Sequence, residues 1–185
     1  MAFNHPGGEK LTRRLLTLME LPYGAKMLDF GCGVGGAMRL AANDFGLEVT
    51  GLDSDRGMVN ACKLQGLNVI QAKNNVIDFP SLSFDGAIAE CVLSLTDNRA
   101  EALHELWCVL RNGGKLGISD VFEKGREEIL QNELETAGFK VRVWEYHSRE
   151  LGSYVAQAIM DGKDCGELEK YGKNTGYYLA VAEKP

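Results

Sequence analysis

The part of the sequence best suited to chemistry is a glycine cluster that follows an aspartate. The run 27–36 reads MLDFGCGVGG, in which Asp29 precedes four glycines. Glycines permit backbone angles that are closed to other residues, and they let a ligand lie against bare backbone. The run matches both G-x-G-x-x-G, the pattern of dinucleotide sites, and G-x-G-x-G. A carboxylate two residues before the first glycine is unfavourable beside a pyrophosphate and favourable beside an ammonium. The sequence therefore favours a ligand with an amino-acid end and a nucleoside end, such as S-adenosylmethionine.

A second acid, Asp53, ends an apolar run and lies 17 residues beyond Gly36. At the tip of the second strand of a nucleotide-binding sheet, a carboxylate can accept hydrogen bonds from both hydroxyls of a ribose. Alternatively, an acid in the run Asp53–Asp55 only caps the following helix. The glycine turn earlier in the chain favours the ribose interpretation.

These residues need a scaffold, and apolar periodicity predicts one. Five short apolar runs alternate with amphipathic helices, which is typical of a parallel sheet with right-handed crossovers. Two late strands, the last inserted antiparallel, complete a doubly wound, Rossmann-like α/β sheet of seven strands. The predicted strands are 27–30, 47–53, 68–72, 84–90, 115–120, 139–146 and 176–182. The predicted helices are 10–19, 37–42, 56–65, 98–110, 126–137 and 151–160.

We expect a single domain over residues 1–185 with three regions. Residues 1–24 hold a helix that either forms a lid beside the ligand crevice or covers a sheet edge. Residues 25–120 form the cofactor-binding core. Residues 121–185 supply the last helices and strands, with an insertion at 148–175 that is either a mobile lid or a surface loop.

Composition and charge disfavour several classes of protein. The chain has 185 residues, 45% hydrophobic, with a net charge of −6 and scattered basic side chains, which disfavours a nucleic-acid partner. No stretch has the layout of a signal peptide or the length of a membrane span, so we expect no membrane partner. The five cysteines are far apart and form no C-x-x-C pair. We therefore expect a reducing, cytoplasmic location without disulfides or a metal site.

Four stretches, in order, resemble the class I S-adenosylmethionine-dependent methyltransferases of the small ubiquinone/menaquinone-biosynthesis-like type. They are LDFGCGVG at 28–35, VTGLD at 49–53, SFDGA at 83–87 and VLRNGGKL at 109–116. The resemblance implies that S-adenosylmethionine is the cofactor, with its methionine end on the glycine loop and its ribose on Asp53. Met58 and the loop after the third strand would lie near the adenine. The implied cofactor-binding residues are Asp29, Gly31, Cys32, Gly33, Gly35, Asp53, Ser54, Met58, Asn74, Asn75 and Glu90.

One departure from the family pattern lies after the third strand. Similar methyltransferases often carry Gly-Asp where this chain has Ala72-Lys73. The missing acid usually holds the adenine amino group. Asn74 or Asn75 can supply an amide oxygen in its place.

The candidates for work on the methyl acceptor are Glu90, Cys91 and His5. Glu90 and Cys91 follow the fourth strand, where DNA amino-methyltransferases carry an Asn-Pro-Pro-Tyr type of motif. Cys91 either fills space, as most free cysteines do, or binds a soft acceptor as in arsenite methyltransferases. A soft acceptor would need a second thiolate, and Cys165 is the candidate for it.

The leading prediction is a methyltransferase that acts on a small molecule. Methyl transfer from a sulfonium needs alignment and exclusion of water more than a dedicated base, so the sequence is more informative about the cofactor than about the acceptor. A metalloid or thiol methyltransferase using Cys91 is the alternative enzyme, and a non-catalytic cofactor-binding domain is a further possibility. Asp29 and the lack of a Tyr-x-x-x-Lys pair disfavour a nicotinamide-dependent oxidoreductase. The oligomeric state stays open between monomer and homodimer.

Overall fold

The computed structural model describes residues 3–72, 77–162 and 171–185, which build one seven-stranded sheet with helices on both faces. The strands are β1 Lys26–Phe30, β2 Glu48–Asp53, β3 Val69–Gln71, β4 Phe84–Glu90, β5 Leu110–Glu123, β6 Lys140–Tyr146 and β7 Thr175–Glu183. The helices are α1 Gly8–Met19, α2 Gly36–Phe45, α3 Arg56–Leu64, α4 Arg99–Val109, α5 Glu127–Thr136 and α6 Ser148–Met160, with a 3₁₀ turn at Leu93–Leu95.

The strand order confirms the predicted α/β architecture. The order is β3-β2-β1-β4-β5-β7-β6, and the pairs from β3 to β5 are all parallel. β7 lies between β5 and β6 and pairs antiparallel with both. The order reverses between β1 and β4, and in such sheets ligands bind beyond the carboxyl ends of the strands at that point.

The starts of two elements differ from the sequence prediction, and two predicted segments are not described. β5 begins at Leu110, directly after α4, because a register shift between Phe84 and Gly86 accommodates the Asn-Gly-Gly run within the strand. α6 begins at Ser148, so a helix occupies the first half of the predicted insertion. Residues 73–76, with Asn74 and Asn75, lie outside the described residues, as does the 163–170 segment with Cys165.

Both faces of the sheet are buried, as is usual for a parallel sheet. Side chains of adjacent residues in β7 point to opposite faces of the sheet, and both are buried. Tyr177 packs with α1 and α2 on one face, and Tyr178 packs with α4 and α5 on the other. Among the described residues, none of the helices combines the length and apolarity that a bilayer-spanning segment needs.

The helix α1 lies directly on β5. Its apolar face consists of Leu11, Leu15, Leu16 and Met19, all buried. At Gly117 of β5 the two elements touch so closely that a Cβ atom there would lie 2.6 Å from Met19 Sδ and 3.0 Å from Leu15 Cγ. The absence of a side chain at Gly117 therefore sets how deeply α1 seats.

We predict that Gly117→Ala destabilises the chain by about 1–3 kcal/mol, because the added methyl group overpacks the contact with α1. Gly152→Ala in α6 is the matched control. A Cβ atom at Gly152 meets nothing within 4 Å, so this helical substitution should stabilise by about 0.5–1 kcal/mol. Urea unfolding of both variants measures the effects. Equal stability of the two variants would contradict the packing argument.

Candidate functional site

A cavity of about 570 Å³ opens at the carboxyl ends of β1 and β4. It is lined by Phe3, Asn4, His5, Asp29, Gly31, Cys32, Gly33, Val34, Gly36, Ala37, Met58, Glu90, Cys91, Tyr154, Gln157, Ala158 and Asp161. A smaller cavity of about 260 Å³ shares Gly31 and Cys91 with it and also contacts Asp53 and Ser54. The two cavities together run along the crevice where the strand order reverses.

The glycine turn forms one wall of the large cavity. The N–H groups of Gly31 and Cys32 donate to the carbonyl oxygen of Leu52 at 2.8 and 3.1 Å, which ties the turn to β2. Gly33 has a φ of +52° and open space where a Cβ atom would stand, so a ligand can approach its backbone. Gly35 instead packs against Leu67 and lines neither cavity, so the structure places this predicted cofactor residue in a packing position.

Asp53 and Asp55 take different positions after β2. The carboxylate of Asp53 accepts hydrogen bonds from the N–H groups of Gly33, at 2.8 Å, and Asp55, at 2.9 Å. Asp55 is the N-cap of α3, because its carboxylate accepts from the N–H groups of Gly57 and Met58. Asp53 therefore does not cap the helix, and it lies on the small cavity beside Ser54.

Asp29 is an acid buried at the end of a central strand. Only 3% of the residue is exposed, and its Oδ2 atom has no hydrogen-bond partner among the described residues. Burial raises the pKa of Asp29 well above its ordinary range, and the nearby carboxylates of Glu90 and Asp53 raise it further. A buried acid that lines a cavity without a partner is suited to a ligand that brings a positive charge.

Glu90 lies in the same cavity but is surrounded by hydrogen-bond donors. The Thr12 hydroxyl lies 3.0 and 3.2 Å from its two carboxylate oxygens, and the Ser119 hydroxyl donates to it at 3.1 Å. His5 Nε2 lies 3.8 Å from Glu90 and 3.2 Å from the Thr12 hydroxyl. α1 and β5 thus hold the Glu90 side chain from two sides.

A chain of hydrogen bonds connects Glu90 with Cys91. The Tyr177 hydroxyl donates to Ser119 at 3.1 Å, and Ser119 uses its own proton for Glu90. Cys91 Sγ lies 3.1 Å from the Tyr177 oxygen, so the thiol is the donor of that pair. Burial raises the pKa of Tyr177 well above its usual value, and Cys91 adds to the effect. The hydrogen bonds therefore run from Cys91 through Tyr177 and Ser119 to the Glu90 carboxylate.

The structure brings together the predicted residues His5, Asp29, Glu90 and Cys91 around the large cavity. Sequence reasoning missed the residues that hold them in place, Thr12, Ser119 and Tyr177. Thr12 and Ser119 are both fully buried. Thr12 is a polar residue on the apolar face of α1, and Ser119 follows an apolar run in β5. Such interruptions of an apolar pattern were the available signal.

The outer wall of the cavity joins the N-terminal segment to α6. The Tyr154 hydroxyl donates to the backbone oxygen and to the side-chain oxygen of Asn4, at 3.4 and 3.2 Å. Gln157 and Ala158 of α6 and its C-cap residue Asp161 also line the cavity. In the described part of the chain, no group of three or more His, Cys, Asp or Glu side chains is arranged to hold a metal ion.

Comparison with known proteins identifies the family pattern. Residues 28–118 match the model of the methyltransferase domain family. The chain is 31% identical to the O-methyltransferase resE of Aspergillus sclerotiorum over 121 residues, which cover 61% of this chain and 46% of that protein. It is 26% identical to the O-methyltransferase cnsE of Penicillium expansum over 220 residues, covering 96% and 78%.

A solved structure with the same fold is phosphoethanolamine N-methyltransferase 2 of Haemonchus contortus in complex with S-adenosyl-L-methionine. Its TM-score is 0.83 at 18% sequence identity, and the match covers 100% of this chain and 54% of that one. The chain thus spans about half the length of resE and of the Haemonchus protein.

We predict that Asp29→Asn stabilises the chain at neutral pH by roughly 1–3 kcal/mol, because it removes a buried acid without a partner. The raised pKa gives the sign of the pH dependence. The unfolded chain releases this proton near pH ~4 and the folded chain does so at higher pH, so the parent loses stability as the pH rises between the two values. Asn does not titrate.

Urea unfolding of the parent and the Asn variant at about pH 4.5 and pH 7.5 tests this expectation. The advantage of the variant should be larger at the higher pH. If the variant's gain in unfolding free energy is the same at both pH values, or is larger at the lower pH, burial does not destabilise Asp29 in the free protein.

Proposed function

The chain carries a class I S-adenosylmethionine-dependent methyltransferase domain, with residues 28–118 matching the family model, and we propose that it transfers a methyl group from this cofactor to a small molecule. The observation that carries the proposal is the buried Asp29 carboxyl, whose Oδ2 atom lacks a partner and which lies on the cavity beside the glycine turn. The ammonium group at the amino-acid end of the cofactor would supply the hydrogen bonds and the positive charge that complement this carboxyl. We propose that residues 1–185 act as one domain.

The described residues fit the cofactor at both ends. Asp29 would hold the ammonium, and the backbone at Gly33 and at the N-terminus of α2 would face the rest of the amino-acid end. Asp53 and Ser54 on the small cavity would hold the ribose, and Met58 would pack near the adenine. Asn74 and Asn75 stay predictions. When bound, S-adenosylmethionine supplies a methyl group already activated by the sulfonium.

The remaining work of the protein is to orient the acceptor and to exclude water. His5, Glu90 and Cys91 face the cavity from the N-terminal segment and the end of β4. Asn4 and Tyr154, joined by a hydrogen bond, line the cavity on its outer side. Among the described lining residues no Lys or Arg faces the cavity, which supports an acceptor without a phosphate group. The names of the two O-methyltransferases that it resembles support an oxygen acceptor.

A metalloid or thiol acceptor bound by Cys91 is the second candidate. Its support is the position of Cys91 on both cavities. A soft acceptor needs a thiolate, whereas the Tyr177 hydroxyl uses its proton for Ser119 and so leaves Cys91 as the donor. The acids Asp29 and Glu90 line the same cavity as Cys91 and oppose a further negative charge there. These contacts favour the oxygen or nitrogen acceptor.

We predict that the chain binds S-adenosylmethionine and S-adenosylhomocysteine but not NAD. Asp29 attracts an ammonium and repels a pyrophosphate, while Asp53 is available to the ribose of each ligand. Isothermal titration calorimetry with the three compounds measures the preference. Tight NAD binding without a response to S-adenosylhomocysteine would contradict the proposed function.

A further prediction separates Asp53 from its neighbour. Asp53→Ala should cost about 1.5–3 kcal/mol of cofactor affinity through loss of a charge-assisted contact to the ribose. Asp55→Ala, the control, should cost about 1 kcal/mol of folding stability through loss of the α3 cap and leave cofactor affinity unchanged. Calorimetry and thermal unfolding of both variants supply the two readouts. An Asp53 variant that binds as tightly as the parent would remove the ribose contact from the proposal.

A further inference from the structure

Two buried carboxylates share the large cavity, and the chain provides little positive charge to offset them. Asp29 and Glu90 both line it, and they lie close enough that the charge of Glu90 raises the pKa of Asp29. The described lining includes a third acid, Asp161, but neither Lys nor Arg. The one basic ring is that of His5, whose Nε2 atom lies 3.8 Å from Glu90. A ligand that enters this cavity therefore gains by carrying more than one positive charge.

The two acids differ in how their hydrogen bonds are satisfied. The Glu90 side chain is 7% exposed, and both of its oxygens accept hydrogen bonds from the hydroxyls of Thr12 and Ser119. Asp29 has an oxygen without a partner among the described residues. The protein itself therefore satisfies the hydrogen bonds of Glu90, whereas the free oxygen of Asp29 is left to accept a hydrogen bond from a ligand's ammonium.

The methyl donor and its demethylated product differ in charge only at the sulfur atom. S-adenosylmethionine carries an ammonium, a carboxylate and a sulfonium, and S-adenosylhomocysteine carries the first two only. The ammonium would pair with Asp29. Glu90 would then remain to interact with the positive charge of the sulfonium. We infer that Glu90 is the residue that recognises the sulfonium charge and makes the site prefer the methyl donor to the demethylated product. This inference rests on the proposed function.

The consequence concerns the end of the reaction. Methyl transfer breaks the carbon–sulfur bond and leaves its electron pair on sulfur, while the acceptor gives an electron pair to the methyl carbon and then loses its proton to solvent. Glu90 afterwards faces a neutral thioether. The carboxylate that attracted the donor no longer has a partner charge, so the product is held less tightly than the donor was.

The test compares two ligands and two matched variants. Calorimetry at neutral pH measures the affinity of S-adenosylmethionine and S-adenosylhomocysteine for the parent, for Glu90→Gln and for Glu128→Gln. Gln keeps the shape of Glu90, and the hydroxyls of Thr12 and Ser119 can rotate to suit its amide. Glu128 is exposed on α5, so this control makes the same change of net charge away from the cavity. Circular dichroism confirms that each variant is folded.

We expect the parent to prefer S-adenosylmethionine, and we expect Glu90→Gln to weaken its binding about tenfold, the effect of a partly screened charge pair. Binding of S-adenosylhomocysteine should change by less than about threefold. The Glu128 variant should match the parent for both ligands. Equal losses for both ligands would place Glu90 on a part they share, and no loss for either would remove it from recognition; both results overturn the inference alone. A folded parent that binds neither compound overturns the proposed function itself.

Discussion

Burial of the Asp29 carboxyl is the constraint on which the rest of the site depends. An acid in the middle of a sheet, without a hydrogen bond to one of its oxygens, costs free energy that packing elsewhere must offset. The sheet offsets it because both faces are covered by helices and most strands are apolar on both sides. The first three N–H groups of the glycine turn, those of Gly31, Cys32 and Gly33, do not relieve the strain, because they donate to Leu52 and Asp53 instead. Strain of this kind is typical of functional sites.

The sequence predicted the seven-stranded, mostly parallel sheet and the glycine turn well, because both follow from local patterns. Alternating apolar runs and the Gly31–Gly36 cluster depend on residues near one another in the chain. The positions of Asp29, Asp53 and Glu90 at strand ends followed from the same patterns. The start of β5 could not be predicted from local patterns, because Asn112-Gly113-Gly114 by itself is typical of a loop. In the fold, the backbone of Gly113 and Gly114 pairs with Lys184, far away in sequence.

The hydrogen-bond chain around Glu90 could not be predicted from the sequence, for a similar reason. Its members come from α1, β4, β5 and β7, and no spacing along the chain relates Thr12 to Ser119 or Tyr177. Their contacts depend on how closely α1 seats on Gly117 and on the register between β5 and β7, in which Ser119 pairs with Leu179. The glycine turn could therefore be predicted from the sequence, whereas the hydrogen bonds that hold the Glu90 side chain depend on tertiary packing.

The place of β7 in the sheet has a consequence for the order of events during synthesis. β7 is the last of the seven strands in chain order, yet it fills the gap between β5 and β6. Until it docks, β5 and β6 each expose an unpaired edge, which is the kind of surface on which nascent chains aggregate. Tyr177 belongs to this strand, so the Glu90 side of the cavity also stays incomplete until then. The pocket is therefore complete only after β7 has docked between β5 and β6.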